Sequence, residues 1–149
     1  MRYPAVLIQL ALGSAILTVT SLIAALSWWG LESFLNRIHR WTVQPPYGPK
    51  LTGVLSLVML WALLIMMASV WIWAIALWFL GTFVTLEASV YFALVSFTTL
   101  GFGDILLPME WRLLGGLAAA NGLMVFGLLT AMLVETLRET RQRQRWQGP

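Results

Sequence analysis

The chain has 149 residues, 60% of them hydrophobic and only 10% charged, well below the roughly 25% charged residues of a soluble globular domain. Its formal charge is +3 and it has no cysteine, which excludes disulfides and thiolate metal sites. The single His39 leaves no histidine set for a metal or catalytic centre, and the basic residues flank apolar runs, which speaks for membrane orientation rather than nucleic-acid binding.

Residues 1–30 hold the first apolar run, from about Ala5 to Trp29, uncharged and long enough for the roughly 20 residues of a membrane span. It opens Met1-Arg2, as signal peptides do. Its apolar core nevertheless exceeds the roughly 7–15 residues of a signal, and Ser27-Trp28-Trp29-Gly30 is no small-x-small cleavage site, so a retained helix is expected. Within residues 31–50, Leu31, Phe34, Leu35, Ile38 and Trp41 share one helical face, while Glu32, Asn36, Arg37, His39 and Arg40 occupy the other. This predicts an amphipathic helix lying in the cytoplasmic interface; the alternative is that the first span continues past Gly30. Gln44-Pro45-Pro46-Tyr47-Gly48-Pro49 then predicts a stiff turn, with Lys50 anchoring the next span.

The second apolar run, residues 51–80, is uncharged, and as a helix of about 45 Å it exceeds a hydrocarbon core of about 30 Å, so it should tilt or protrude. The third, residues 111–137, carries Arg112 near its start and Glu135 near its end. Between them Thr85 is a helix N-cap, with Glu87 in the first turn where an acid complements the helix dipole. The helix this predicts, residues 86–97, is too short to cross a bilayer. It ends at Thr98-Thr99-Leu100-Gly101-Phe102-Gly103-Asp104. Two glycines two residues apart permit left-handed dihedrals that aim successive carbonyls one way. Irregular backbone at membrane depth is tolerated only where protein or a water-filled pore surrounds it.

The segment 98–104 resembles the selectivity filter of potassium channels, Thr-Val-Gly-Tyr-Gly-Asp, with Leu100 for the Val and Phe102 for the Tyr. The third run strengthens the resemblance. Asn121-Gly122 followed by Phe126-Gly127-Leu128-Leu129-Thr130-Ala131 is similar to the inner helix of small bacterial potassium channels. The resemblance covers residues 51–137 and implies an outer helix 51–80, a pore helix 86–97, a filter 98–104 and an inner helix 111–137. It implies potassium sites on the carbonyls of Thr99, Leu100, Gly101 and Phe102, with Gly103 completing the filter and the Thr99 hydroxyl closing the innermost site. The Leu100 and Phe102 side chains are then expected to point away from the pore and pack behind it. Thr98, Asp104 and Tyr91 would support the filter, Tyr91 by donating its hydroxyl to Asp104, and Val95 stands where some bacterial channels carry a buried Glu. Gly122 falls at the gating hinge, while Phe126, Thr130 and Val134 recur every four residues and would line the cavity. Residues 31–41 look like the slide helix of several such channels.

Plainer readings stand beside these. Gly115 and Gly116 suit close helix packing, and Gly122 suits either packing or a hinge. Asn121, polar at mid-membrane, is expected to find an interhelical hydrogen bond. Trp61, Trp71, Trp73 and Trp78 read mostly as lipid or interface anchors. Glu135 and Glu139 read as solvated helix pairs with the tail arginines.

The expected fold class is an all-α membrane protein with three transmembrane helices, a re-entrant pore helix and a filter loop, in tetrameric potassium-channel architecture. One filter segment cannot enclose an ion, so the expected assembly is a homotetramer in membrane lipid, without nucleic acid. Its transported species would be K+, with no further cofactor. No acid–base or nucleophile cluster indicates an enzyme. Arg37, Arg40, Lys50, Arg138, Arg141, Arg143 and Arg145 against Arg2 and Arg112 place the 31–50 loop and the 138–149 tail in the cytoplasm of the cell, and the N-terminus outside. A weakly selective cation channel and a non-conducting membrane scaffold are the alternatives. The gating stimulus and any regulatory partner of the first helix are left open.

Overall fold

A computed structural model describes residues 3–37 and 47–145. They form four α-helices and one 3-10 turn: α1 (Tyr3–Arg37), α2 (Tyr47–Phe79), α3 (Leu86–Phe97), the turn Met109–Trp111, and α4 (Arg112–Arg145). No strand occurs among the described residues. Helix is the form in which each apolar segment satisfies its own backbone, which lipid requires. α1, α2 and α4 are each long and apolar enough to cross a membrane. At 33 residues α2 measures about 50 Å, so it tilts within or extends beyond a hydrocarbon core of about 30 Å.

Helix ends follow local chemistry. Pro49 falls in the first turn of α2, where its missing N–H has no partner to lose, so α2 begins at Tyr47. The stiff turn expected over 44–49 is therefore already helix from Tyr47 on, and Gln44, Pro45 and Pro46 lie outside the described residues. α2 ends in a Schellman cap. Gly81, at φ +67, donates to the Trp78 carbonyl at 2.9 Å, and Thr82 donates its N–H to the Leu77 carbonyl at 3.3 Å. Thr85 caps α3, its Oγ1 accepting from the Ala88 N–H at 3.2 Å.

The separate interfacial helix expected over 31–41 does not form within the described residues. α1 runs unbroken through Gly30 to Arg37, while Ile38, His39, Arg40 and Trp41 lie outside the described residues. The reason is tertiary. Leu31 is buried with Val54 and Val58 of α2, and Trp28, Leu35, Trp61 and Leu133 pack around them. Part of the apolar face that looked free for lipid is thus covered by protein. Glycine inside a helix costs about 1 kcal/mol, which such packing overrides.

The main core lies between α2, α3 and α4: Val70, Trp73, Ala74 and Leu77 meet Ala93 and Phe97, then Leu114, Ala118, Val125 and Leu129, with Ala24 from α1. Trp73 is fully buried here, so it is no lipid anchor, whereas Trp71 and Trp78 keep exposed faces. On α4, Leu114, Ala118, Asn121, Val125, Leu129, Met132 and Thr136 form one buried stripe with steps of three or four residues. α1 lies along α4. Gln9 meets Leu113, Gly13 faces Leu117, and Thr20 meets Asn121, so the two helices are parallel.

Candidate functional site

The 98–104 loop hangs from the C-terminal end of α3. Thr98 caps that helix, its N–H bonded to the Leu94 carbonyl at 3.0 Å and its Oγ1 to the same oxygen at 2.8 Å. The next amides also turn back on the helix. Thr99 donates to Ser96 O at 2.9 Å, Leu100 to Val95 O at 3.0 Å, and Gly101 to Val95 O at 3.3 Å. In a trans peptide the C=O points opposite to the following N–H. The carbonyls of Thr98, Thr99 and Leu100 are therefore directed away from α3, toward the open side.

The backbone alternates in hand. Thr99 (φ +58), Gly101 (φ +58) and Gly103 (φ +76) are left-handed, and Leu100 and Phe102 between them are not. Thr99 is the one non-glycine residue with positive φ among the described residues. For a β-branched residue this conformation costs about 1–3 kcal/mol, and such strain persists where the surroundings over-determine it. The three amides drawn onto Val95 and Ser96 are those surroundings.

At the outer end of the loop, the Tyr91 hydroxyl donates to Asp104 Oδ2 at 2.6 Å, tying the loop to the middle of α3. That bond, foremost, holds the Asp104 carboxyl below the usual aspartate range, aided by its own backbone N–H and that of Ile105. The contribution to loop stability is thus complete above the ordinary aspartate range and is lost as pH falls through the lowered value. In Tyr91→Phe, Asp104 is expected to titrate nearer its ordinary range, so acid disrupts the loop at a higher pH than in the wild type. A carboxyl NMR titration of Asp104 checks this; an unchanged midpoint contradicts it.

A cavity of about 330 Å³ opens beneath the loop, lined by Met66, Phe97, Thr98, Thr99, Gly122, Leu123 and Phe126. The fold therefore brings together the loop and two residues picked out on α4, Gly122 and Phe126. Thr130 lies one turn further along, in a cavity shared with Met59 and Leu63 of α2, its hydroxyl bonded to the Phe126 carbonyl at 2.8 Å. Val134 is exposed and borders neither space. Gly122 is buried and set directly against the Phe97 backbone. A Cβ there would lie 2.6 Å from the Phe97 carbonyl carbon and 2.8 Å from its Cα. Gly115 likewise seats the Phe92 ring, whereas Gly116 faces open space in this chain.

Leu100 and Phe102 are 58% and 66% exposed, so the packing expected behind the loop is not supplied by their own chain. A second cavity of about 330 Å³ flanks the loop on the α3 side, bordered by Tyr91, Val95, Ser96, Asp104 and Arg112. Gln9, Gly13 and Thr20 of α1, none of them among the residues the sequence singles out, touch α4. Their only signal was a polar or small residue in an otherwise apolar run.

A family model described as an ion channel matches residues 53–139, from α2 through the 98–104 loop into α4. No curated protein and no solved structure matches the chain.

Proposed function

The chain belongs to the ion channel family, and from that premise we propose that it is a passive, potassium-selective channel working as a homotetramer. The observation that carries the reading is the 98–104 backbone. Its hand alternates at Thr99, Gly101 and Gly103, and its amides from Thr99 to Gly101 are held on α3, which turns carbonyls to the open side. Carbonyls of Thr99, Leu100, Gly101 and Phe102 from four chains would replace the hydration shell of K+, with the Thr99 hydroxyl at the inner end. The C-terminal end of α3 carries the negative pole of its dipole, and four such ends would favour a cation in the cavity beneath.

The tetramer follows from what one chain leaves undone. A single loop cannot surround an ion, and Leu100 and Phe102 have no cover of their own. Neighbouring copies supply both the other walls and that cover. The charge asymmetry of the sequence orients the assembly with the loop outside and α4 ending in the cytoplasm. K+ then moves down its gradient, shedding water, stepping between carbonyl sites and leaving as further ions enter.

The test is flux through purified protein in liposomes. Potassium flux far above sodium flux is expected, together with a tetrameric mass in detergent. Equal potassium and sodium fluxes would make it a weakly selective cation channel. A monomeric or dimeric mass would remove the architecture altogether.

A further inference from the structure

α1 precedes the matched segment yet touches its core. Outermost, Gln9 Oε1 accepts from the Leu113 N–H at 3.1 Å, one of the first-turn amides of α4 that lack helical partners. One turn inward, Gly13 leaves the notch that Leu117 fills; a Cβ there would lie 3.2 Å from Leu114 Cδ2 and 3.3 Å from Leu117 Cβ. Deepest, Asn121 Nδ2 donates to Thr20 Oγ1 at 2.6 Å, both residues being 0% exposed. The Thr20 hydroxyl proton is directed to Ile16 O (2.9 Å) or Leu17 O (3.0 Å), which leaves its lone pairs for Asn121.

Asn121 is the residue before Gly122. Gly122 abuts the Phe97 backbone, and Phe97 is followed by Thr98, where the carbonyl-bearing loop begins. A short physical path thus leads from Thr20 to the inner end of that loop. The path tolerates little rotation. α4 fits against Phe97 only where a residue lacks a Cβ, and turning it by one position would drive Asn121 or Leu123 into that backbone. The Asn121 Oδ1 is buried with no hydrogen-bond partner among the described residues, so the bond to Thr20 is what holds this amide in place.

We infer that Thr20 is a positioning residue for ion selection: through Asn121 it fixes the rotation of α4 that seats Gly122 under Phe97 and so sets the inner end of the filter. The inference rests on the channel reading above. It makes α1 part of the selecting machinery, acting from behind the inner helix and out of contact with the ion.

The test compares wild type, Thr20→Val and Thr20→Ser in liposomes and in detergent. Val keeps the shape and removes the acceptor, while Ser keeps the hydroxyl. T20V is expected to lower the potassium-to-sodium flux ratio about tenfold, the effect of leaving one buried polar partner unmatched, and T20S to restore most of it. Exchange of the Thr98–Gly101 amides should be faster in T20V and near wild type in T20S, with amides in the middle of α2 unchanged. If T20V fails to assemble, Thr20→Cys, a weaker acceptor, replaces it with a smaller expected loss. Wild-type selectivity and exchange in T20V overturn the inference, as does equal damage in T20V and T20S, which would assign the effect to packing. A wild type that carries no potassium current across changes of pH, voltage and lipid sinks the channel reading instead; the exchange measurement still decides whether Thr20 governs the loop.

Discussion

Gly122→Ala is expected to abolish potassium flux and to loosen the assembled protein, whereas Gly53→Ala leaves both intact. The added methyl has nowhere to go. It would sit 2.6 Å from the Phe97 carbonyl carbon and 2.8 Å from its Cα, closer than real Cβ contacts come. These neighbours are backbone, so no side-chain rotation relieves the overlap. α3 and α4 must separate, and overpacking of this kind costs about 3 kcal/mol, partly offset by the roughly 1 kcal/mol by which alanine outperforms glycine in a helix. Separation also moves Thr98 and Thr99, which begin one residue beyond Phe97. At Gly53 nothing lies within 4 Å, so only the propensity gain remains. The measurement also separates the two roles open for Gly122. A pure hinge predicts that alanine changes open probability while thermal stability and tetramer mass are kept. The packing seen here predicts that the Tm falls along with flux. An alanine variant with wild-type Tm and altered gating would contradict the packing account.

The parts of this architecture legible in the sequence were those set by local chemistry. Thr85 marked the start of α3 because its hydroxyl takes an orphan amide, and Glu87 suits the same turn. Tyr91 and Asp104 could be paired through the resemblance, and the structure places their oxygens 2.6 Å apart. The three apolar runs were plain from length alone. What stayed hidden was which faces meet. A helix apolar on every side has no stripe to read, because lipid and protein core accept the same residues. Hence Trp73 could not be told from Trp71 or Trp78, although the first is buried and the others are half-exposed. For the same reason Leu31 and Leu35 read as a lipid-facing stripe when α2 covers Leu31. Asn121 announced a need for a partner, but Thr20, about a hundred residues earlier, became its partner only through the parallel docking of α1.

Gly101→Asp carries the second large effect: loss of potassium selectivity and of most flux, with the membrane helices still formed. Gly101 holds φ +58, where an L-residue pays about 1–2 kcal/mol for its Cβ. Space is not the obstacle within the chain, since nothing lies within 4 Å of a Cβ at this position. Conformation and charge are. Reverting to φ below zero would break the alternation from Thr99 to Gly103 and turn the Gly101 carbonyl out of line with its neighbours. Remaining at positive φ would keep the strain and, in the proposed tetramer, add four carboxylates around a narrow axis, where like charges within a few ångströms repel strongly. In either case the proposed ladder of carbonyl oxygens is broken at its centre. Gly101→Ala separates the two causes, since it adds strain without charge. It is expected to reduce potassium flux about tenfold, in keeping with about 1.4 kcal/mol of strain, where aspartate removes it entirely. Circular dichroism should show the same helix content in all three proteins, because α3 ends before the substituted position. A Gly101→Asp protein that still passes potassium and excludes sodium would show that the carbonyls of this loop do not select the ion.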